Sequence, residues 1–192
     1  RAYQAEYDVQ DGQASRADTF CSTMGGAVRV EGDDCTRLDT PELPFVVGFD
    51  GGAGDTGQLV AGVRSLRDRY DFAADTVEAI GDIVREGDSL LAAADPDDDP
   101  SAELIGELGE LMDINHGLLS ALGVSSRSLD TMVWAAREAG ADGAKLTGAG
   151  GGGCIVALDA TDETETSLQY TPDCEQAFRA ELATDGVRVE EE

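Results

Sequence analysis

Residues 144–158 read AKLTGAGGGGCIVAL, an apolar segment that enters a glycine cluster and leaves it as a second apolar segment. Two short apolar runs on either side of turn residues predict a pair of strands joined by a loop. Gly148, Gly150, Gly151, Gly152 and Gly153 fall within six positions of that loop. Glycine loses more backbone entropy on folding than any other residue, so a cluster this dense needs a reason. A bare backbone can adopt positive φ, approach a ligand closely and turn successive N–H groups toward an anion. A glycine-rich hairpin without any ligand is the alternative, although a two-residue turn is enough to reverse a chain.

Gly148, Gly150 and Gly153 do spell G-x-G-x-x-G. A dinucleotide fingerprint has to open a helix, however, and Cys154, Ile155, Val156, Ala157 and Leu158 are strand-like. No G-x-x-x-x-G-K-[ST] loop is present either, which removes the P-loop reading. Lys145 is the only lysine in a chain whose other 12 basic residues are arginines. Its place beside the cluster implies a local use, as a compact charge or as a packed stem.

The 192 residues fit one domain or one and a half, and 41% hydrophobic content is that of a globular chain. Forty acidic against 13 basic side chains give a net charge of -27, which makes nucleic acid and anionic membranes poor partners. Self-repulsion on that scale destabilises a compact state unless the solvent screens it, and at ~1 M salt the Debye length is only ~3 Å. The composition therefore predicts a cytoplasmic protein of a halophile. Cys21, Cys35, Cys154 and Cys174 have neither zinc-site spacing nor the pattern of a small disulfide framework, so reduced thiols are expected. Neither a signal peptide nor an apolar run of membrane-spanning length is found.

Arg1 begins the sequence without an initiator methionine and inside a helical pattern, RAYQAEYDVQ, as expected for the C-terminal part of something longer. Asp11 and Gly12 close that pattern, and Ser15 can cap a short helix carrying Arg16, Asp18 and Thr19. AVRVEG and CTRLDT predict a hairpin, and PFVVGFD at 44–50 predicts a buried strand. After the loop GGAGDTG, one helix carries Leu59, Val63, Leu66 and Tyr70, and a second runs from about Ala73 to Ala93. DPDDDP at 95–100 lacks the spacing of a calcium loop and reads as a solvated connector. Asp99 and Pro100 suit an N-cap and first helical position, ahead of a stripe of Leu104, Leu108, Leu111, Ile114, Leu118 and Leu122. Another helix starts at Ser125 or Ser126. Beyond the glycine hairpin, TDETET reads as an acidic linker, 172–183 as a helix and 187–189 as a last strand. This order predicts an α+β fold with a small, largely antiparallel sheet.

Asp18 is the strongest acid-base candidate, in GQASRADTFCSTMGG between two glycine-marked turns. A carboxylate in the first turn of a helix, with Arg16 nearby, lies in a favourable field and can deprotonate or orient a hydroxyl. Glu6 and Ser15 could help hold a hard cation through oxygen ligands. His116, the sole histidine, reads as structural, Cys154 as packing and Trp134 as core.

KLTGAGGGGC resembles the third conserved motif of the GHMP kinases, named for galactokinase, homoserine kinase, mevalonate kinase and phosphomevalonate kinase. LVAGVRSL at 59–66, DINHGLLSALGVSSRSLD at 113–130 and ASRADTFCSTMGG at 14–26 narrow the likeness to the mevalonate kinases, over residues 3–158. The acidic, lysine-poor composition is similar to that of haloarchaeal members. The resemblance implies ATP-dependent phosphorylation of mevalonate to 5-phosphomevalonate with Mg2+, in the cytoplasm, by an enzyme that often pairs as a homodimer. It implies that Asp18 is the catalytic carboxylate and that Thr147, Gly148, Ala149, Gly150 and Gly151 line the phosphate and substrate site. A glutamate on the preceding helix and a serine elsewhere hold magnesium in the family, and Glu6 matches that glutamate if Asp11 is a one-residue insertion before Gly12. The implied fold is a ferredoxin-like C-terminal domain with added helices over 44–192, preceded by the end of a ribosomal-S5-like N-terminal domain over 1–43. The family's G-L-G-S-S-A loop and N-terminal lysine are absent and would lie upstream of Arg1, so the chain alone is expected to be inactive. The basic residues that relatives often carry before Leu59 are replaced by GAGDTG, with Thr56 still matching. Another GHMP kinase, for phosphomevalonate or homoserine, and a non-catalytic substrate sensor are the rival readings.

Overall fold

The computed structural model describes residues 3–4, 16–32, 34–159 and 161–188. Its elements are α1 (Arg16–Met24), β1 (Ala27–Glu31), β2 (Asp34–Leu38), β3 (Phe45–Phe49), α2 (Thr56–Arg69) and α3 (Asp71–Ala93). They continue with α4 (Ala102–Ala121), α5 (Arg127–Glu138), β4 (Gly143–Thr147), β5 (Cys154–Leu158), α6 (Glu163–Gln169) and β6 (Gln176–Ala180). The chain forms two compact units, one of Arg1–Glu42, Leu91–Asp99 and Leu182–Glu192, the other of Leu43–Leu90 and Pro100–Glu181.

In the first unit β1 and β2 pair antiparallel as a hairpin, from Ala27 opposite Leu38 to Glu31 opposite Asp34. The segment after β6 is tied to α1 and this hairpin. The Gly26 N–H donates to the Ala183 carbonyl at 2.7 Å and the Val187 N–H to Thr23 at 3.1 Å. The Arg37 guanidinium donates to the carbonyls of Met24 (3.2 Å) and Thr184 (3.1 Å).

The second unit is a four-stranded sheet in the order β4-β5-β3-β6, antiparallel at each pairing. Chain order β3-helices-β4-β5-α6-β6 makes it a split β-α-β arrangement, with α2 to α5 filling the first crossover. Alternation along the strands sends Val46, Leu146, Ile155, Ala157 and Ala177 to one face. There they join Leu129, Met132, Val133 and Ala136 of α5 and Leu168 of α6 in a single core. At the outer edge α4 comes so close to β4 that a Cβ on Gly143 would lie 2.4 Å from the Gly109 Cα, which only two bare backbones permit.

Several boundaries depart from the sequence reading. Ser101, not Asp99, caps α4, its hydroxyl accepting the Leu104 N–H at 3.1 Å, so Pro100 precedes the helix instead of opening it. The apolar stripe of α4 holds at Leu104, Ile105 and Leu108 but then gives way to buried Asn115 and His116, while Ile114 is 47% exposed. That half of the helix faces a strand edge, which demands hydrogen-bonding side chains. TDETET is not a linker: it begins α6, where Thr164 and Leu168 are buried four residues apart. The expected helix over 172–183 is instead β6, held by its pairing with β3. Residues 187 and 188 are not in a strand, and 189 lies outside the described residues. Trp134, expected in the core, is 61% exposed.

Candidate active site

The glycine loop connects β4 to β5, and all five of its glycines have positive φ: Gly148 (76°), Gly150 (87°), Gly151 (74°), Gly152 (141°) and Gly153 (96°). The run is thus a conformational requirement, since an L side chain in this region costs roughly 1–2 kcal/mol. Thr147, Gly148 and Ala149 are exposed at the tip, Gly150 is buried and Gly151 is exposed. The Gly151 N–H donates to the Val124 carbonyl at 2.8 Å. The N–H groups of Gly148 and Ala149 have no hydrogen-bond partner among the described residues. A second glycine segment, 51–54, packs against the first, and a Cβ on Gly54 would lie 1.9 Å from the Gly150 carbonyl oxygen.

Asp50, at the end of β3, joins these segments. Its Oδ1 accepts the N–H groups of Gly52 (2.8 Å) and Gly153 (2.7 Å), its Oδ2 accepts the Ser128 hydroxyl, and its own N–H donates to Gly153 at 3.0 Å. Burial pushes the carboxyl pKa up, but the hydrogen bonds from Ser128, Gly153 and Gly52 together outweigh it and hold the group below its ordinary value. Sequence reasoning missed Asp50, one acid among forty. Its signal was the following Asp-Gly-Gly, which suits a side chain that accepts the N–H two residues on.

Lys145 lies beside the loop but does not reach into it. Its ammonium donates to the Leu146 carbonyl at 2.8 Å, and burial holds its pKa below the ordinary value, so the packed stem is the reading that stands. The outward backbone groups of β4 are all taken up by side chains. The Ala144 N–H donates to Asp113 (2.8 Å) and its carbonyl accepts from Arg137 (3.1 Å), whose guanidinium pairs with Asp113 at 2.7 Å. The Leu146 N–H donates to His116 Nδ1 at 3.2 Å, which makes Nε2 the protonated nitrogen, 3.2 Å from Asp130. Asp130 also accepts the Ser125 hydroxyl. His116 is therefore structural, as its sequence context suggested.

A proton on Nδ1 would face the Leu146 N–H. Burial depresses the His116 pKa most, Asp130 opposes this, and Arg137 adds to the depression, leaving it below 6.5. Below about pH 6.5 the unfolded chain then binds more protons than the folded one, and stability falls as pH falls toward the folded pKa. Urea midpoints in high salt should drop between about pH 7.5 and about pH 5.5, and His116→Gln should remove most of that drop. An equal drop in the variant would place its origin elsewhere.

Burial and then the Asp50 charge push the Cys154 thiol up, consistent with packing rather than nucleophilic use. All four cysteines are free. Asp18 is exposed in the first turn of α1 and belongs to the first unit, whereas the glycine loop belongs to the second. Glu6 and Ser15 lie outside the described residues. Among the described residues no group of His, Cys, Asp or Glu side chains is placed to hold a metal ion, and no helix is long and apolar enough to cross a membrane.

Residues 101–170, covering α4, α5, the glycine loop and α6, match the family model described as GHMP kinases C terminal. The chain has the GHMP kinase C-terminal domain fold. Among solved structures, L. major mevalonate kinase in complex with R-mevalonate shares this GHMP fold at a TM-score of 0.73 and 24% identity, over 91% of this chain and 55% of that one. In sequence the chain is 39% identical over 181 residues to the mevalonate kinase of Thermococcus gammatolerans, and 39% identical over 182 residues to that of Pyrococcus furiosus. Each match covers 94% of this chain and 53% of the relative, so the chain spans about half the length of the curated relatives it matches.

Proposed function

We propose that the chain is the C-terminal portion of an ATP-dependent mevalonate kinase, forming 5-phosphomevalonate with Mg2+ in the cytoplasm of a haloarchaeon. The observation that carries this reading is the 39% identity to archaeal mevalonate kinases along 94% of the chain, glycine loop included. In the proposed reaction the primary hydroxyl oxygen of mevalonate bonds to the γ-phosphorus of ATP and the bond to the bridging oxygen breaks, releasing ADP. Asp18 takes the hydroxyl proton. Thr147 to Gly151 line the phosphate and substrate, with the Gly148 and Ala149 N–H groups available to phosphoryl oxygens. Glu6 and Ser15 would hold Mg2+, which when bound neutralises phosphate charge. Residues 1–43 are assigned to the end of the N-terminal kinase domain and 44–192 to the C-terminal domain.

The test is coupled ADP release in multimolar KCl, on the 192-residue chain and on the protein extended upstream to its gene's own start codon. Turnover of mevalonate, and not of homoserine or phosphomevalonate, by the longer protein is the expected result. No turnover of mevalonate by the longer protein defeats the assignment. Sedimentation in the same buffer tests the proposed homodimer. The haloarchaeal origin has its own readout. Since 40 acidic residues repel one another, the melting temperature should rise steeply with KCl, and a flat response would remove that part of the reading.

A further inference from the structure

Five positive-φ glycines within six positions make the β4–β5 loop expensive to order, because each carries the largest backbone entropy loss of any residue. Few contacts offset that loss. One is the bond from the Gly151 N–H to Val124, and another is the close backbone packing of Gly54 on Gly150. The remaining attachments are both at Asp50: its N–H donates to the Gly153 carbonyl at 3.0 Å, and its carboxylate holds more than one segment. A single group bonds the N–H at the loop's last glycine, the N–H of Gly52 in the opposing segment, and the hydroxyl of Ser128 in the first turn of α5. Ser128 is in turn 2.9 Å from Ser126, the N-cap of α5.

The position of this anchor separates it from an ordinary core contact. Asp50 is half-buried at the end of a strand and lies outside the apolar core, which is complete without it. A carboxylate has room for several donors at once, and hydrogen bonds to a charged acceptor are stronger than neutral ones. It can therefore fix the mutual placement of two glycine segments and a helix start, which no single pair of backbone groups achieves.

We propose that Asp50 is a positioning residue for the reaction, its carboxylate setting the conformation of the glycine loop through Gly153, Gly52 and Ser128. The proposal rests on the assignment of that loop to the substrate site. Asp50 acts through the loop backbone and does not itself contact the reacting atoms. Its effect falls on the alignment of the phosphate acceptor, where a misplacement of ~1 Å can cost about a hundredfold in rate.

The test uses the protein extended to its start codon, with Asp50→Ala, Asp50→Asn and Ser128→Ala assayed well below each variant's melting temperature. Asp50→Ala should lower kcat/KM for mevalonate by about thirty- to a hundredfold, mostly in kcat. An asparagine keeps an acceptor for the two glycine N–H groups and can donate to Ser128, so Asp50→Asn should stay within about fivefold of the parent. Ser128→Ala, which removes one of three donors and tests the network should Asp50→Ala fail to fold, should lose about five- to tenfold. Hydrogen exchange supplies the readout independent of turnover: amides of 151–154 should exchange faster in Asp50→Ala and near the parent rate in Asp50→Asn. Unchanged kinetics with unchanged exchange in Asp50→Ala would overturn the proposal. So would an Asp50→Asn variant as slow as Asp50→Ala, since the charge itself would then be acting. If the parent protein does not phosphorylate mevalonate, the functional assignment fails by itself, and exchange at 151–154 still reports whether Asp50 holds the loop.

Discussion

Replacing Asp18 by Asn in the protein extended to its start codon should lower mevalonate turnover by at least about a hundredfold, because a general base contributes about 10²–10⁴ in rate. The side chain keeps its shape and one oxygen, and loses only the ability to take a proton. Asp18 is exposed in the first turn of α1, so the substitution touches no packed core and the variant should melt near the parent temperature. The informative measurement is kcat beside KM. A fall in kcat with little change in KM for mevalonate is the signature of an interaction made in the transition state. A loss of less than threefold would refute the assignment and leave the carboxylate as one more solvated surface charge.

The second large effect concerns the loop backbone, and two glycines two residues apart make the comparison. Gly148 and Gly150 have similar positive φ, 76° and 87°. A Cβ on Gly148 meets nothing within 4 Å, whereas a Cβ on Gly150 would lie 2.0 Å from the Val124 carbonyl oxygen. Gly148→Ala should therefore cost only the conformational strain, roughly 1–2 kcal/mol. Gly150→Ala adds a backbone collision that no rotamer relieves, and overpacking of that kind costs a further ~1–3 kcal/mol. The loop should separate from the segment before α5, with loss of the Gly151 bond to Val124. Urea unfolding of the two variants side by side is the measurement. Equal destabilisation would show that backbone torsion alone governs the loop and that the close approach to Val124 has no weight.

The strand–glycine–strand core of the fold was legible because two independent signals coincide there, apolar runs of strand length and residues able to adopt positive φ. Helices α2, α3 and α5 were legible for a similar reason, through periodic apolar positions and a serine cap at Ser126. The segment after β5 was misread where local and tertiary preferences diverge. Gln176–Ala180 contains good helix formers after Pro172, yet the free edge of β3 takes the segment as a strand, with Phe178 opposite Val47. In α6 the only burial signal is the pair Thr164 and Leu168, lost among the acidic residues around it.

Of the candidate site, the need for glycine at 148 and 150–153 could be read from sequence, and so could the structural character of His116. The clamp could not. Asp50 lies 103 residues from Gly153 and 78 from Ser128, and only the folded sheet brings the three together. Lys145 was noticed for its rarity, but its direction is set by burial and by the Leu146 carbonyl, neither of which is local information. Trp134 marks the reverse error: a large aromatic was assigned to the interior from its type alone.

The satisfied outer margin of β4 has a consequence for how this molecule behaves in a crowded cell. An unprotected terminal strand is a template on which a neighbouring chain can add itself, the first step toward fibrils and swapped assemblies. Here the outward groups of Ala144 and Leu146 are already engaged by Asp113, Arg137, His116 and Lys145. An incoming strand would have to displace each of these before gaining any bond of its own. High salt weakens the charge repulsion that normally keeps acidic proteins apart. A sheet sealed on this side by its own side chains does not depend on that repulsion to remain unextended.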